Sequence, residues 1–243
     1  MVKLDRNLIF VILLIIGLIG FSVYNGENSS NQLQISDFSK FEPSSYTQIL
    51  GNTDYGYVIR GGPYGNKDSD VKIAYIVGVH PLEYKSHMAI LEALLTHENS
   101  LKYSYYIYAV KVTRNASDYN DGRINGQLLA YKYAVPDIVA KKFNLVIDVH
   151  SNMGNYKEKR FFDVPLNDKI SKNIAFQIVN KISWAVFYIP PLEKGPTSGP
   201  YVINPLINSG VPTMVYETYI YEPYKTTMLH AYDLIEAVDQ LNL

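Results

Sequence analysis

The chain has 243 residues, with 47% hydrophobic and 19% charged residues, enough apolar material for one substantial core and too much for a disordered or collagen-like chain. Lys plus Arg number 22 against 23 Asp plus Glu, a net charge of −1, which gives no electrostatic footing for nucleic-acid binding. Zero cysteines remove disulfides, thiolate metal sites and cysteine nucleophiles together, so a metal site must be built from His, Asp and Glu.

The first segment is apolar. Leu8 to Tyr24 is a run of 17 residues interrupted only by two Gly and one Ser, and as a helix it reaches roughly 25 Å, just enough to cross a bilayer. Lys3 and Arg6 precede it and no Lys or Arg follows before Lys40, so the positive-inside rule keeps the N-terminus cytoplasmic and sends the rest across. Residues 1–24 are therefore expected to form a single-pass anchor in the cell membrane. The rival reading, a cleaved signal peptide, lacks the small-residue cleavage site near Tyr24 and Asn25. A buried core helix fits less well, because the run is apolar all round rather than along one stripe. Residues 25–45 are rich in Asn, Ser, Gln and Glu and read as a polar linker. Asn28-Ser29-Ser30 and Asn115-Ala116-Ser117 fit the N-glycosylation pattern, relevant only to an exported domain.

Residues 46–243 form the expected domain. Val71 to Val79 is a β-branched and aromatic run ending at Gly78-Val79-His80, which predicts a buried strand reaching a sheet edge. Leu82, Ala89, Ile90, Ala93 and Leu94 follow at helical spacing up to residues 97–100. Tyr103 to Thr113 predicts a strand, Gln127 to Phe143 a helix interrupted at Pro136, and Leu145 to Val149 a strand. Further on, Ile170 to Ile182 reads as a helix, Trp184 to Ile189 and Val211 to Tyr216 as strands, and Tyr224 to Leu241 as a closing helix. Pro190 to Gly210 between them reads as a long loop. Alternation of this kind predicts an α/β domain of three layers around a mixed, mostly parallel sheet, with ligands gathering at the carboxyl ends of the strands.

Polar residues stand at three such ends: His80-Pro81-Leu82-Glu83, Asp148-Val149-His150, and Glu217. His80 and Glu83 are three apart across a strand-to-helix turn, close enough to point at one place. With His150 they supply two imidazoles and a carboxylate, the donor set that catalytic zinc uses while keeping a position open. Asp148 lies two residues before His150, on the same strand face, where it can orient that ring. His87 and His97, on the following helix, and His230, in the last helix, are expected at the surface and are not proposed as ligands.

Gly78-Val79-His80-Pro81-Leu82-Glu83 resembles the G-[IV]-H-x-x-E motif of zinc carboxypeptidases and of the related succinylglutamate desuccinylase/aspartoacylase group. Asp148 to Gly154 (DVHSNMG) is similar to that group's strand carrying the third zinc ligand, and Val215-Tyr216-Glu217-Thr218 to the strand presenting its catalytic carboxylate. Arg114 and the segment Asp121 to Gly126 resemble the family's upstream Arg and its later D-x-N-R-x-F-x-G stretch. The match runs in order over about residues 71 to 218.

The resemblance implies one zinc ion on His80, Glu83 and His150, and hydrolysis of an amide bond with Glu217 as general base. It implies Arg114 as stabiliser of the developing oxyanion and Arg123 as clamp for a substrate carboxylate. Gly122 stands where the family has Asn before the second Arg, so that part of the clamp is absent or displaced to Asn125, and Tyr201 is the candidate substrate-gripping tyrosine. The implied partner is a peptide or an N-acyl amino acid, and a domain outside the membrane favours an extracellular or envelope peptide cut by a carboxypeptidase or isopeptidase. The alternatives are deacylation of N-acyl amino acids, as in aspartoacylase, and a non-catalytic surface binding module on the same fold.

Overall fold

A computed structural model describes residues 47–191 and 197–243. The expected anchor and linker, residues 1–45, lie outside them. Among the described residues no helix is long and apolar enough to cross a membrane.

The chain opens with an antiparallel pair, β1 (Thr47–Thr53) and β2 (Gly56–Gly65). Neither is announced by the sequence, because their Gly-rich, polar stretch lacks a continuous apolar run. β3 (Lys72–Val77) leads through a short 3-10 turn (Pro81–Glu83) into α1 (Tyr84–His97), and β4 (Ser104–Val112) follows. α2 (Tyr119–Leu129) then runs through a π-helical turn (Ala130–Ala134) into α3 (Val135–Lys141). Pro136 sits in the first turn of α3, directly after the π-helical turn, and offers no N–H to the carbonyls of that turn.

The helix starts eight residues before the expected Gln127, because Asp118 caps it by accepting from the N–H groups of Asn120 and Asp121. Gly122 and Gly126 inside it hide the helical pattern from sequence reading. β5 (Leu145–Asn152), β6 (Phe161–Asp163), α4 (Lys169–Val179) and β7 (Val186–Phe187) come next. The expected loop at 190–210 contains a π-helical turn (Gly199–Ile203) and α5 (Asn204–Asn208), held down by buried Val202, Ile203 and Leu206. β8 (Thr213–Tyr219) and α6 (Tyr224–Asp239) complete the domain.

The strands form one sheet in the order β1-β2-β4-β3-β5-β8-β6-β7. Its centre, β4-β3-β5-β8, is parallel, while β1, β2 and the β6–β8 pair are antiparallel, giving a mixed sheet. Leu129, Ala134, Val135 and Ile138, with Ile203 and Leu206, pack against Ala74, Ile76, Val110, Val146 and Val215 on one face. α1 and α6 pack on each other across the opposite face, so the domain has three layers.

Phenolic rings fill much of the middle: Tyr105 and Tyr108 are buried, with hydroxyls donating to Asp239 at 2.9 Å and Asp137 at 2.6 Å. From β3 the chain steps to β4 on one side and later returns to place β5 on the other. Strand order thus reverses at β3, and a crevice opens at the carboxyl ends of β3 and β5.

Candidate metal centre

Gly78, at φ +85°, turns the chain out of β3 where an added Cβ would collide with the Val110 carbonyl. His80 then stands in extended conformation before the 3-10 turn, and the N–H of Glu83 donates to the His80 carbonyl at 3.1 Å. That single turn folds Glu83 back onto His80: Nδ1 of His80 is 3.0 Å from Glu83 Oε1. β5 brings His150 from the neighbouring strand, with Nδ1 2.9 Å from Glu83 Oε2. The backbone N–H of Ser151 donates to the same oxygen at 3.0 Å.

His80, Glu83 and His150 are all buried, and one donor atom from each lies within 4.8 Å of the others. Two neutral-capable imidazoles and a carboxylate converging in this way form a set able to hold a divalent metal ion, and their chemistry fits zinc. The outer nitrogens are engaged too: His150 Nε2 lies 2.8 Å from Asp148 Oδ2, and His80 Nε2 lies 3.0 Å from the amide nitrogen of Gln127.

The electrostatics differ between the two rings. Burial penalises charge on His80 and brings its pKa down to about 4, although Glu83 pulls the other way. Burial also opposes charge on His150, but the Asp148 and Glu83 carboxylates on either side outweigh it and hold that imidazole well above its ordinary range. Glu83 loses solvation as well, yet His80 and His150 hold its carboxyl well below the usual value. Glu83 is thus an ionised carboxylate ready to bind a cation.

Glu217 lines the cleft beside these groups. The parallel register pairs it with His150 on β5, so both side chains leave the same face of the sheet. Its Oε2 accepts from the side-chain amide of Asn152 at 3.4 Å. The same amide donates to the carbonyls of Thr218 and Lys159, which tethers the end of β8 to the segment before β6. The cleft has a volume of about 120 Å³, with Leu82, Asp118, Tyr119, Met153 and Tyr156 around it.

Of the two arginines, the structure brings one to the site. Arg123 NH1 is 2.9 Å from Glu83 Oε1 with the side chain 14% exposed, and its guanidinium lies over the Tyr119 ring. It gets there because α2 touches the end of β3: a Cβ on Gly126 would collide with the Val79 carbonyl. Arg123 and Gln127 therefore face the site one helical turn apart.

Arg114, the expected oxyanion stabiliser, sits elsewhere: it is 64% exposed and paired with Asp54 in the β1–β2 turn at 2.7 Å. The Arg114 backbone leaves β4 toward that hairpin, donating its N–H to the Tyr55 carbonyl, so its side chain is carried away from the metal ligands. Asn125 points off the same way, donating to the Arg114 carbonyl at 3.1 Å. Tyr201 packs at the margin of the apolar core and edge-on to Tyr131. Neither Asn125 nor Tyr201 borders the cleft.

Two histidines expected at the surface are buried. His87 places Nε2 3.1 Å from the Val149 carbonyl, and burial brings its pKa down to about 4. His230 stacks on Trp184 beside Glu222. Gln127 is the site residue that sequence reading missed; its one signal is its position, a helical turn beyond Arg123.

Neither a family profile nor a curated protein sequence matches the chain. Solved structures do share its fold. The product-bound cell shape determinant protein Csd4 from Helicobacter pylori is 12% identical with a TM-score of 0.52, covering 75% of this chain and 54% of its own. A metallo-carboxypeptidase from Pseudomonas aeruginosa in complex with (2-guanidinoethylmercapto)succinic acid is 10% identical with a TM-score of 0.53, covering 82% and 63%. A succinylglutamate desuccinylase/aspartoacylase from Rhodobacter sphaeroides is 14% identical with a TM-score of 0.51, covering 80% and 65%. The fold implied by the strand-tip motifs is the one the chain adopts, and the chain spans between half and two thirds of the length of these three structures.

Proposed function

We propose that the domain is a zinc-dependent hydrolase of amide bonds, with one ion on His80, Glu83 and His150. The observation that carries this reading is the buried convergence of those three donors within 4.8 Å, beside a carboxylate, Glu217, that is in strand register with His150 but is not one of the three. A divalent ion in such a set supplies Lewis acidity toward a carbonyl oxygen and toward water.

The chain's own residues do the rest. Glu217 takes a proton from the attacking water and returns it to the departing amine, a task for a carboxylate near the ion but not bound to it. Arg123 carries a fixed positive charge at the ligand carboxylate and stabilises negative charge growing on the carbonyl oxygen, the part first expected of Arg114. Leu82, Tyr119, Met153 and Tyr156 border a cleft of about 120 Å³. That volume is below the range for whole drug-sized ligands and suits one residue or one acyl group, with the remainder of the substrate lying across the open rim.

The substrate we favour is a peptide outside the cell. The charge asymmetry around residues 8–24 supports a single-pass anchor with residues 46–243 on the outer side, where envelope or extracellular peptides are within reach. A Helicobacter pylori protein named as a cell shape determinant and a Pseudomonas aeruginosa metallo-carboxypeptidase share the fold. The small cleft also accommodates an N-acyl amino acid, and the Rhodobacter sphaeroides desuccinylase/aspartoacylase has the same fold.

The deciding experiment purifies the full chain without chelator, measures zinc content, and assays peptides with free C-termini against N-acyl amino acids. The reading expects stoichiometric zinc, its loss in His150→Ala, and zinc-dependent cleavage of peptides. Turnover confined to N-acyl amino acids selects the deacylase. Absence of both zinc and turnover leaves a binding module.

A further inference from the structure

The two imidazoles at Glu83 are held from behind by different chemistry. Behind His150 stands a carboxylate, Asp148. Behind His80 stands a neutral amide, Gln127, which is fully buried. Its nitrogen is 3.0 Å from His80 Nε2, while its oxygen, Oε1, has no hydrogen-bond partner among the described residues.

A buried carbonyl oxygen without a donor is costly, on the order of 1–3 kcal/mol. The amide's position, with its nitrogen end next to a ring nitrogen, makes it informative. If His80 presents a bare Nδ1 to a cation, its proton resides on Nε2, and a buried Nε2–H requires an acceptor. The nitrogen end of the Gln127 amide has only hydrogens to offer. The oxygen end is the acceptor required, and the two ends are nearly the same shape, so a half-turn about the last torsion exchanges them without repacking. That half-turn gives the oxygen a donor and the His80 Nε2–H an acceptor, and moves the amide NH2 to the place the oxygen held.

We infer that Gln127 is a positioning residue of the cation site, whose amide oxygen accepts from His80 Nε2–H and so fixes Nδ1 as the ligating atom. The inference rests on the metal-dependent reading above and extends it to how the site sets its grip. A carboxylate behind a ligand imidazole raises its basicity, and a neutral amide does so less. His80 is therefore the weaker donor of the pair and His150 the stronger. Glu83, Asp148 and Glu217 already contribute carboxylates to this corner of the protein. An amide at position 127 orients the ring without adding a fourth, which leaves more of the ion's charge for the substrate carbonyl.

The test compares full-length wild type with Gln127→Met, which keeps the volume and removes both polar ends, and with Gln127→Glu, which restores an acceptor and adds charge. Zinc affinity is read by competition with a chromophoric chelator. The protonated nitrogen of His80 is read by nitrogen NMR of the zinc-loaded, ¹⁵N-histidine-labelled wild type. We expect Gln127→Met to bind zinc about 10- to 100-fold more weakly, Gln127→Glu to bind at least as tightly as wild type, and His80 to carry its proton on Nε2.

Zinc affinity of Gln127→Met within about twofold of wild type overturns the inference, the expected loss being at least tenfold. So does a Gln127→Glu variant as weak as Gln127→Met, or a proton on His80 Nδ1. If Gln127→Met does not fold, the Gln127→Glu affinity and the wild-type NMR still decide. Failure of the underlying reading looks different: wild type then binds no zinc, or His80→Ala binds it as well as wild type does.

Discussion

Glu217 and His150 are register partners on the adjacent parallel strands β8 and β5, so their side chains rise from the same face about 4.8 Å apart at the backbone. One belongs to the set that can hold a cation; the other does not. This pairing separates holding the ion from moving the proton. Glu217→Gln is expected to retain zinc at wild-type stoichiometry while hydrolysis falls by about 10²- to 10⁴-fold. Metal analysis and turnover on one preparation check it, and a variant with wild-type turnover removes Glu217 from the proton-transfer role.

The arginines give an opposed pair of outcomes. Arg123 touches Glu83 at the site, whereas Arg114 pairs with Asp54 at the surface. Arg123→Met is expected to lower kcat/KM by about 10²- to 10³-fold, as loss of a charge-stabilising donor does. Arg114→Met removes an exposed ion pair worth about 0–1 kcal/mol and leaves kcat/KM unchanged within experimental error. Steady-state kinetics of both variants on one substrate decide between the two arginines.

Gly126 inverts a familiar rule. Ala in place of Gly inside an exposed helix gains about 1 kcal/mol. Here the added Cβ meets the Val79 carbonyl, backbone rather than a flexible side chain. Gly126→Ala is therefore expected to destabilise by about 1–3 kcal/mol and to reduce activity, since the helix must withdraw with Arg123 and Gln127 on it. Equilibrium denaturation and kcat/KM are the measurements; a neutral or stabilised variant shows that α2 gives way more easily than its contact implies.

Asp163, on β6, is buried, its Oδ1 without a partner among the described residues, and burial pushes its pKa up to about 7. An acid whose folded pKa lies above its unfolded value binds more protons when folded, so stability falls as pH rises between about 4 and 7 and then levels off. Relative to wild type, Asp163→Asn should gain about 1.4 kcal/mol per pH unit from pH 5 to pH 7 and nothing further above it. Urea unfolding of both proteins across pH 5–8 measures the difference; a flat difference places the Asp163 pKa near that of the unfolded chain.

Much of the fold and of the metal corner was legible from residue patterns, for identifiable reasons. The parallel strands β3, β4, β5 and β8 are buried on both faces and so read as unbroken β-branched and aromatic runs. The hairpin of β1, at the sheet edge, and β2, between β1 and β4, was not legible, because its Gly-rich, polar stretch carries no such run. α2 began unseen because its glycines serve close approaches, Gly126 to the Val79 carbonyl and Gly122 to the carbonyls of Asn115 and Ala116, tertiary demands with no local signature. His80, Glu83 and His150 stood out because strand tips are where polar residues interrupt apolar ones. Arg114 and Arg123 were indistinguishable in the sequence; which of them turns inward depends on where α2 docks. Gln127 carries no charge and fits no motif, and only its contact with His80 gives it meaning.

The three cation-holding side chains come from two strand ends and the first turn of a helix, while the wall facing solvent is contributed by Tyr119 and by the stretch containing Met153 and Tyr156. Grip and selectivity are thus written on separate pieces of chain. If the domain works as proposed, exchange of residues 153–159 is expected to alter which substrates fit the cleft while leaving the His80, Glu83 and His150 donor set unchanged.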